Sequence, residues 1–362
     1  MERNIFLFVG GFGLLVGGAE MLVRGASRLA AAMGVAPVVI GLTVVAFGTS
    51  APEVAITVQS VFAGQADLAL GNVVGSNIAN VLLILGLAAV AAPLVVSQRL
   101  IRWDVPIMIG TSLGVGLLAW DGTVVRWEGL LLLAGGIGYT VWALRQSRAE
   151  LPLIQDEYAQ EFTVPPHPSL RYKAIQVGLV LAGLVVLTWG ARWLVEGAVA
   201  VARALGVSEL IVGLTLVAVG TSLPEAATSV VASLRGERDI AVGNAVGSNL
   251  LNLLWVLGLA SSLAPAGLSV SSAARHFDIP VMIAVAVACL PIFLHGHRIS
   301  RWEGGLFLGY YLAYTLYLIL AATHHQALPV FSTVMLVFAL PLTTITLGIL
   351  LIRALREQPV PR

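Results

Sequence analysis

Two sequence motifs occur twice in this chain, and the second copies lie 172 residues after the first. GLTVVAFGTSAPE at 41–53 matches GLTLVAVGTSLPE at 213–225, and GNVVGSNIAN at 71–80 matches GNAVGSNLLN at 243–252. A looser echo follows, with DVP at 104–106 and DIP at 278–280. The chain is therefore built from two related halves.

The chain is apolar enough to cross a membrane many times. Of its 362 residues, 58% are hydrophobic and 11% are charged, whereas a soluble domain carries about 25% charged residues. A net charge of +1 gives no reason to expect nucleic acid as a partner, and no obligatory protein partner is indicated. Apolar segments of about 20 residues can each span a bilayer. They predict eleven spans, at 4–32, 37–62, 68–91, 102–120, 125–144, 174–202, 208–234, 240–263, 277–294, 300–321 and 328–352.

The number of spans in each half determines how the halves are related. The first half, 1–144, holds five predicted spans with the motif pair at 41–80, and the second, 174–321, holds five with the pair at 213–252. Because five is odd, the second copy enters the membrane from the opposite side. The predicted fold class is an all-α polytopic membrane protein with two inverted five-helix repeats plus an eleventh C-terminal helix. Inverted repeats with Gly/Pro-interrupted spans are typical of secondary transporters.

The distribution of positive charge predicts the orientation in the membrane. A polar linker at 145–173 separates the repeats, and the extra helix at 328–352 follows the second. Cytoplasmic loops carry an excess of Lys and Arg. With the N-terminus outside, fifteen of the twenty Lys and Arg residues lie inside, and five lie outside: Arg3, Arg126, Arg192, Arg203 and Arg275. We expect a multi-pass protein of a bacterial or archaeal plasma membrane, with the linker and C-terminus in the cytoplasm.

The motifs GTSAPE and GTSLPE place oxygen atoms at membrane depth. Pro52 and Pro224 have no amide N–H, so the helix cannot complete its hydrogen bonds there. We expect free carbonyl groups nearby, those of Ala46 and Ala218 among them. Hydroxyl, carbonyl and carboxylate oxygens are the ligands that Ca²⁺ prefers, about six to eight of them. The candidate side-chain ligands are Thr49, Ser50, Glu53, Thr221, Ser222 and Glu225.

The two carboxylates, Glu53 and Glu225, could instead form buried ion pairs or extend to the membrane surface. The predicted spans that hold them, 37–62 and 208–234, contain no Lys or Arg. A charge at the middle of a membrane costs about 2.5–3.5 kcal/mol even on the lowest scale. We therefore interpret both carboxylates as ligands of a mobile cation.

The motif GNxxGSNxxN adds polar side chains on the third and eighth spans. Its glycines, four residues apart, allow close packing of helices. In each copy, a Ser and an Asn four residues apart share one helix face, which favours direct ligation: Ser76 with Asn80, and Ser248 with Asn252. Asn77 and Asn249 fit ligation and interhelical hydrogen bonding equally well.

The doubled motifs resemble the α-repeats of the cation/Ca²⁺ exchanger superfamily, and the chain looks most like the prokaryotic sodium/calcium exchangers. The resemblance covers residues 1–321. It implies a ten-helix core, Glu53 and Glu225 as central ligands, Ca²⁺ and Na⁺ as transported ions without a cofactor, and sliding of the first and sixth helices. It also implies that further oxygens complete the ion sites: those of Thr49, Ser50, Ser76, Thr221, Ser222 and Ser248, and the carbonyls of Ala46 and Ala218.

The predicted function is antiport of Ca²⁺ against Na⁺, with an H⁺-coupled or other divalent cation/Ca²⁺ antiporter as the alternative. Some relatives carry Asp at one of the positions held here by Asn80 and Asn252, so an additional K⁺ or proton-linked site is less expected. Both GN motifs lack the Glu of the proton/Ca²⁺ branch. A cation channel would share the ligands, but an inverted repeat around a closed site favours a carrier. An intramembrane enzyme is disfavoured, since neither motif contains His or Cys.

Overall fold

The computed structural model describes residues 2–149, 165 and 168–357, and most of them are helical. The first half contains α1 (Glu2–Met33), α2a (Pro37–Thr49), α2b (Ala51–Phe62), α3 (Ala66–Ala91), α4 (Leu100–Leu118) and α5 (Arg126–Ala149). The second half contains α6 (Leu170–Ala204), α7a (209–220), α7b (Leu223–Leu234), α8 (Arg238–Leu263), α9 (Ala274–Leu294) and α10 (Arg301–Ala322), and α11 (328–357) follows.

The described residues thus place a helix, whole or broken, at each of the eleven predicted spans. Nine of these helices are long and apolar enough to cross a membrane, and the pair α2a and α2b, bent by 47°, makes a tenth. The predicted span 208–234 is divided in the corresponding way, at Thr221 and Ser222. The fold is that of an all-α membrane protein with two inverted five-helix repeats and an additional C-terminal helix.

The helices extend into both ends of the predicted linker, 145–173. Helix α5 continues to Ala149, and α6 begins at Leu170, where the Ser169 hydroxyl accepts a hydrogen bond from the Tyr172 amide at 3.1 Å. Such a bond caps the first turn of a helix. Residues 150–164, 166 and 167 of the linker lie outside the described residues.

Wide π-helical turns interrupt the core helices at matching places in the two repeats. In a π turn, each backbone hydrogen bond joins residues five apart in the sequence rather than four, as in an α-helix. Such turns are frequent at functional sites. The sequence patterns did not predict them. The six in the repeats form three corresponding pairs: Gly41–Val45 with Gly213–Val217, Asn80–Leu85 with Asn252–Val256, and Leu100–Asp104 with Ala274–Asp278.

Four short strands, which the sequence analysis did not predict either, connect the loops of one repeat to those of the other. Strand β1 (Leu94–Val95) pairs antiparallel with β4 (Arg298–Ile299), and β2 (Thr123–Val124) pairs antiparallel with β3 (Leu268–Ser269). Each two-stranded sheet therefore joins the halves outside the helices.

Helices α1 and α6 pack against each other along most of their length. Glycines make the close approach possible: a Cβ at Gly18 of α1 would lie 2.5 Å from the backbone nitrogen of Leu187 in α6. Helix α11, in contrast, lies at the periphery and exposes large apolar side chains such as Leu336, Val337 and Phe338. In a bilayer these side chains face lipid.

The two repeats differ in how their broken helices pack. Helix α2a lies against α8 so tightly that a Cβ at Gly247 would come within 2.6 Å of the Leu42 backbone. In the other repeat, the corresponding Gly75 of α3 faces open space. Ala46 of α2a is buried, whereas its counterpart Ala218 of α7a is exposed. The molecule is therefore packed more tightly on the side of α2a than on the side of α7a.

Candidate cation-binding site

The breaks in the second and seventh spans bring two carboxylates into the protein interior. Pro52 and Pro224 each occupy the first turn of the helix after the break, where the missing amide of proline is tolerated. The carboxylate-bearing residue comes next in each case. Glu53 and Glu225 are both 1% exposed, although an ionised carboxylate is far more stable in water than in an apolar interior.

Each carboxylate is held by a serine of the opposite repeat. The Ser50 hydroxyl donates to Glu225 Oε1 at 2.9 Å, and the Ser222 hydroxyl donates to Glu53 Oε1 at 3.4 Å. Ser50 also lies 3.3 Å from the Ser248 hydroxyl. The motifs of the two halves therefore meet at one place in the structure.

No ion pair involves Glu53 or Glu225 in the described part of the chain. The second oxygen of each carboxylate, Oε2, has no hydrogen-bond partner there either. Buried polar atoms normally have partners, so these two oxygens are free to contact a positive ligand. A fixed centre of three or more His, Cys, Asp or Glu residues is also absent from the described residues.

The GN motifs support the backbone at the two carboxylates. The Asn72 amide donates to the Glu53 carbonyl at 3.3 Å and to the Thr57 hydroxyl at 2.9 Å. In the other repeat, the Asn244 amide donates to the Glu225 carbonyl at 3.3 Å and to the Ser229 hydroxyl at 3.0 Å. These bonds orient the helix turn that carries each Glu.

Thr57 and Ser229 belong to this site, and the sequence analysis missed them. A signal was present, because each hydroxyl lies four residues after its Glu and so on the same helix face. Thr57 and Ser229 also correspond to each other in the two repeats.

The remaining predicted ligands are distributed unequally between the halves. Thr49 is buried and donates to Asn244 Oδ1 at 3.3 Å, whereas Thr221 is partly exposed. Ser76 and Ser248 are both buried. Among the described residues the Ser50–Ser248 contact has no counterpart between Ser222 and Ser76. The α7a half of the site is thus less tightly assembled.

The expectation of a free carbonyl at Ala46 is not met in this conformation. The Ala46 oxygen accepts a hydrogen bond from the Ser50 amide at 3.0 Å, and the Thr49 hydroxyl, which also faces Asn244 Oδ1, lies 3.4 Å from it. The reason is local: the amide missing at Pro52 is the one that would reach Gly48, not Ala46. In α7a, the Ser222 amide bonds to the Val219 oxygen rather than to that of Ala218.

Asn80 and Asn252 are the first residues of the π turns in α3 and α8, and both are buried, at 1% exposure each. Each has an Oδ1 atom without a hydrogen-bond partner among the described residues. These amide oxygens add to the buried hard oxygen atoms of the two motif pairs, and oxygens of this kind suit Ca²⁺ and other hard cations.

Comparisons with known proteins agree with this geometry. The family profile described as "Sodium/calcium exchanger protein" matches residues 3–145 and 175–320. The putative antiporter CaxA of Alkalimonas amylolytica is 38% identical over 289 residues, which is 78% of this chain and 88% of that protein. The sodium/calcium exchanger MaX1 of Methanosarcina acetivorans is 31% identical over 312 residues, covering 78% and 89%.

A solved structure is also similar. The sodium-calcium exchanger NCX_Mj, soaked with 10 mM Na⁺ and zero Ca²⁺, superimposes with a TM-score of 0.73 at 29% sequence identity. The match covers 86% of this chain and 97% of that one. The inner membrane protein YrbG of Escherichia coli is a further relative, 35% identical over 71% of this chain and 79% of its own length.

Proposed function

Since the chain belongs to the sodium/calcium exchanger family, whose members are secondary transporters, we propose that it exchanges Ca²⁺ for Na⁺ across the membrane by alternating access. The observation that carries this proposal is the buried pair of Glu53 and Glu225, which has no cationic side chain beside it in the described residues. One Ca²⁺ or two Na⁺ supply the opposite charge. Both ions are substrates and not resident cofactors.

In the proposed site, Glu53 and Glu225 bind the ions directly, and neutral oxygens from both repeats complete the coordination. The contacts between Ser50 and Glu225 and between Ser222 and Glu53 support this arrangement. The proposed neutral ligands are the side-chain oxygens of Thr49, Ser50, Thr221, Ser222, Ser76, Ser248, Asn80 and Asn252. The carbonyls of Ala46 and Ala218 join them in the conformations in which they are free.

The one-sided packing supports a carrier over a channel. A channel needs a continuous path, but the close contact of α2a with α8 at Gly247 and Leu42 closes one side of the site. The inverted repeat allows a second conformation, open to the opposite side of the membrane. If the two halves exchange their packing, the α7a side closes instead of the α2a side. Two neutral residues, Asn80 and Asn252, also support Na⁺ coupling over proton coupling, since neither offers a carboxylate.

We expect that ⁴⁵Ca²⁺ uptake driven by an outward Na⁺ gradient will identify the coupling ion. Proteoliposomes that contain the purified chain and a high internal Na⁺ concentration are diluted into Na⁺-free medium with ⁴⁵Ca²⁺. Uptake should be several-fold greater than in vesicles with equal Na⁺ on both sides. Matched vesicles with K⁺ or H⁺ gradients serve as controls. Uptake driven by the H⁺ gradient but not by Na⁺ would establish the alternative, a proton-coupled antiporter.

The proposed orientation places the N-terminus outside, so that the less tightly packed side at α7a faces the exterior of a bacterial or archaeal plasma membrane. An eleventh crossing by α11 then returns the C-terminus to the cytoplasm. A reporter that is active only in the cytoplasm, fused after Arg362, should be active, and one fused after Ala322 should be inactive. The reverse pattern would contradict the orientation, and inactivity at both positions would show that α11 does not cross.

A further inference from the structure

A chain of three buried side chains connects α4, α8 and α3. Asn80 of α3 donates from Nδ2 to Asn249 Oδ1 at 3.0 Å. Asn249 of α8 donates from its own Nδ2 to the Met108 sulfur of α4 at 3.4 Å. The three residues are 1%, 2% and 0% exposed, respectively.

The chemistry of the chain determines which way each amide points. A thioether sulfur can only accept a hydrogen bond, so Asn249 must turn its amide nitrogen toward Met108. The Asn249 oxygen then faces Asn80, so Asn80 must direct its own amide nitrogen toward that oxygen and donate the hydrogen bond. The Asn80 oxygen is left on the opposite side, and it has no hydrogen-bond partner among the described residues.

We infer that Asn249, held by Met108, is a positioning residue that makes Asn80 present its amide oxygen rather than its amide nitrogen to the transported cation. This inference rests on the proposed function, because it requires a cation at Glu53 and Glu225. It also decides between the two interpretations of Asn249 in the sequence: the oxygen of Asn249 is occupied by Asn80, so Asn249 acts through Asn80.

The other repeat lacks this arrangement in the described structure. Asn77, the counterpart of Asn249, donates to the Val73 carbonyl of its own helix at 2.7 Å. Its oxygen and that of Asn252 have no hydrogen-bond partner in the part of the chain that the structure describes. Among the described residues, a neighbouring helix thus fixes Asn80 but leaves the Asn252 oxygen unpaired, although the two motifs have the same sequence pattern.

Equilibrium ⁴⁵Ca²⁺ binding to the purified full-length chain in detergent tests the inference. Removing the hydrogen bond with Asn249→Leu should weaken Ca²⁺ binding about tenfold, the range expected for residues that orient metal ligands. Asn249→Asp retains an acceptor at the same place and should bind Ca²⁺ at least as tightly as the wild type. An equal loss in both variants would overturn the inference.

A double-mutant cycle separates positioning from general damage to the fold. In an Asn80→Leu background, Asn249→Leu should cause no further loss of Ca²⁺ affinity, whereas in an Asn252→Leu background it should cause the full loss. Equal losses in the two backgrounds would overturn the inference. If the wild type binds Ca²⁺ and Asn249→Leu binds it equally well, the inference is overturned but the proposed function is not. A wild type that binds neither Ca²⁺ nor Na⁺ would overturn the proposed function as well.

Discussion

Replacement of either Glu53 or Glu225 by Gln is expected to abolish Ca²⁺ transport. Gln has nearly the shape of Glu, so the contacts with Ser222 and Ser50 can persist, but half of the negative charge in the site is lost. Removing one partner of a buried charge pair costs about 3–5 kcal/mol, which corresponds to a loss of Ca²⁺ affinity on the order of 100-fold or more. Uptake of ⁴⁵Ca²⁺ into proteoliposomes measures the effect.

A carboxylate outside the site provides the control for these variants. Glu196 of α6 is exposed, and Glu196→Gln removes the same charge without reaching the site, so transport should remain near that of the wild type. Thermal unfolding in detergent verifies that all three variants are folded. Normal transport by both Glu53→Gln and Glu225→Gln, at equal protein content, would refute the assignment of these residues as ligands.

The positions of the helix breaks could be predicted from the sequence because their cause is local. Pro52 and Pro224 lack the amide needed to continue the helix, and the structure divides both spans immediately before them. Burial of the two carboxylates was also predictable, since the surrounding spans are apolar. The π turns were not, because they depend on how the side chains of packed helices fit together.

The difference between the two halves could not be read from the sequence. The motifs around Gly41 and Gly213 are nearly identical, yet most residues of α2a are buried, whereas most of the described residues of α7a are partly or fully exposed. An inverted repeat encodes both packings in both halves, and any one conformation shows each half in a different one. The hydrogen bond from Asn80 to Asn249 is one such difference, because at Asn252 and Asn77 the same residue types leave both amide oxygens unpaired among the described residues.

The charge of the site also predicts that this protein exchanges ions and does not release them alone. When the broken helices change their packing, Glu53 and Glu225 must pass through a state in which neither side is open. Without bound ions, that state contains two unpaired charges in an apolar interior, each of which costs about 2.5 kcal/mol or more. Bound Ca²⁺ or Na⁺ removes most of this cost. The loaded protein should therefore change conformation readily, and the empty protein should not.

We accordingly expect ⁴⁵Ca²⁺ efflux from loaded proteoliposomes to require Na⁺ or Ca²⁺ on the opposite side. The vesicles are diluted first into choline medium with a chelator, where efflux should equal that of protein-free vesicles, and then into Na⁺ medium. If the two empty carboxylates together cost about 5 kcal/mol, Na⁺ should accelerate efflux by a factor of about 5,000. Unlabelled Ca²⁺ outside should also restore efflux, by Ca²⁺–Ca²⁺ exchange. Rapid efflux into choline that Na⁺ does not increase would contradict the exchanger and identify a channel or uniporter, because such a protein returns or conducts without a counter-ion.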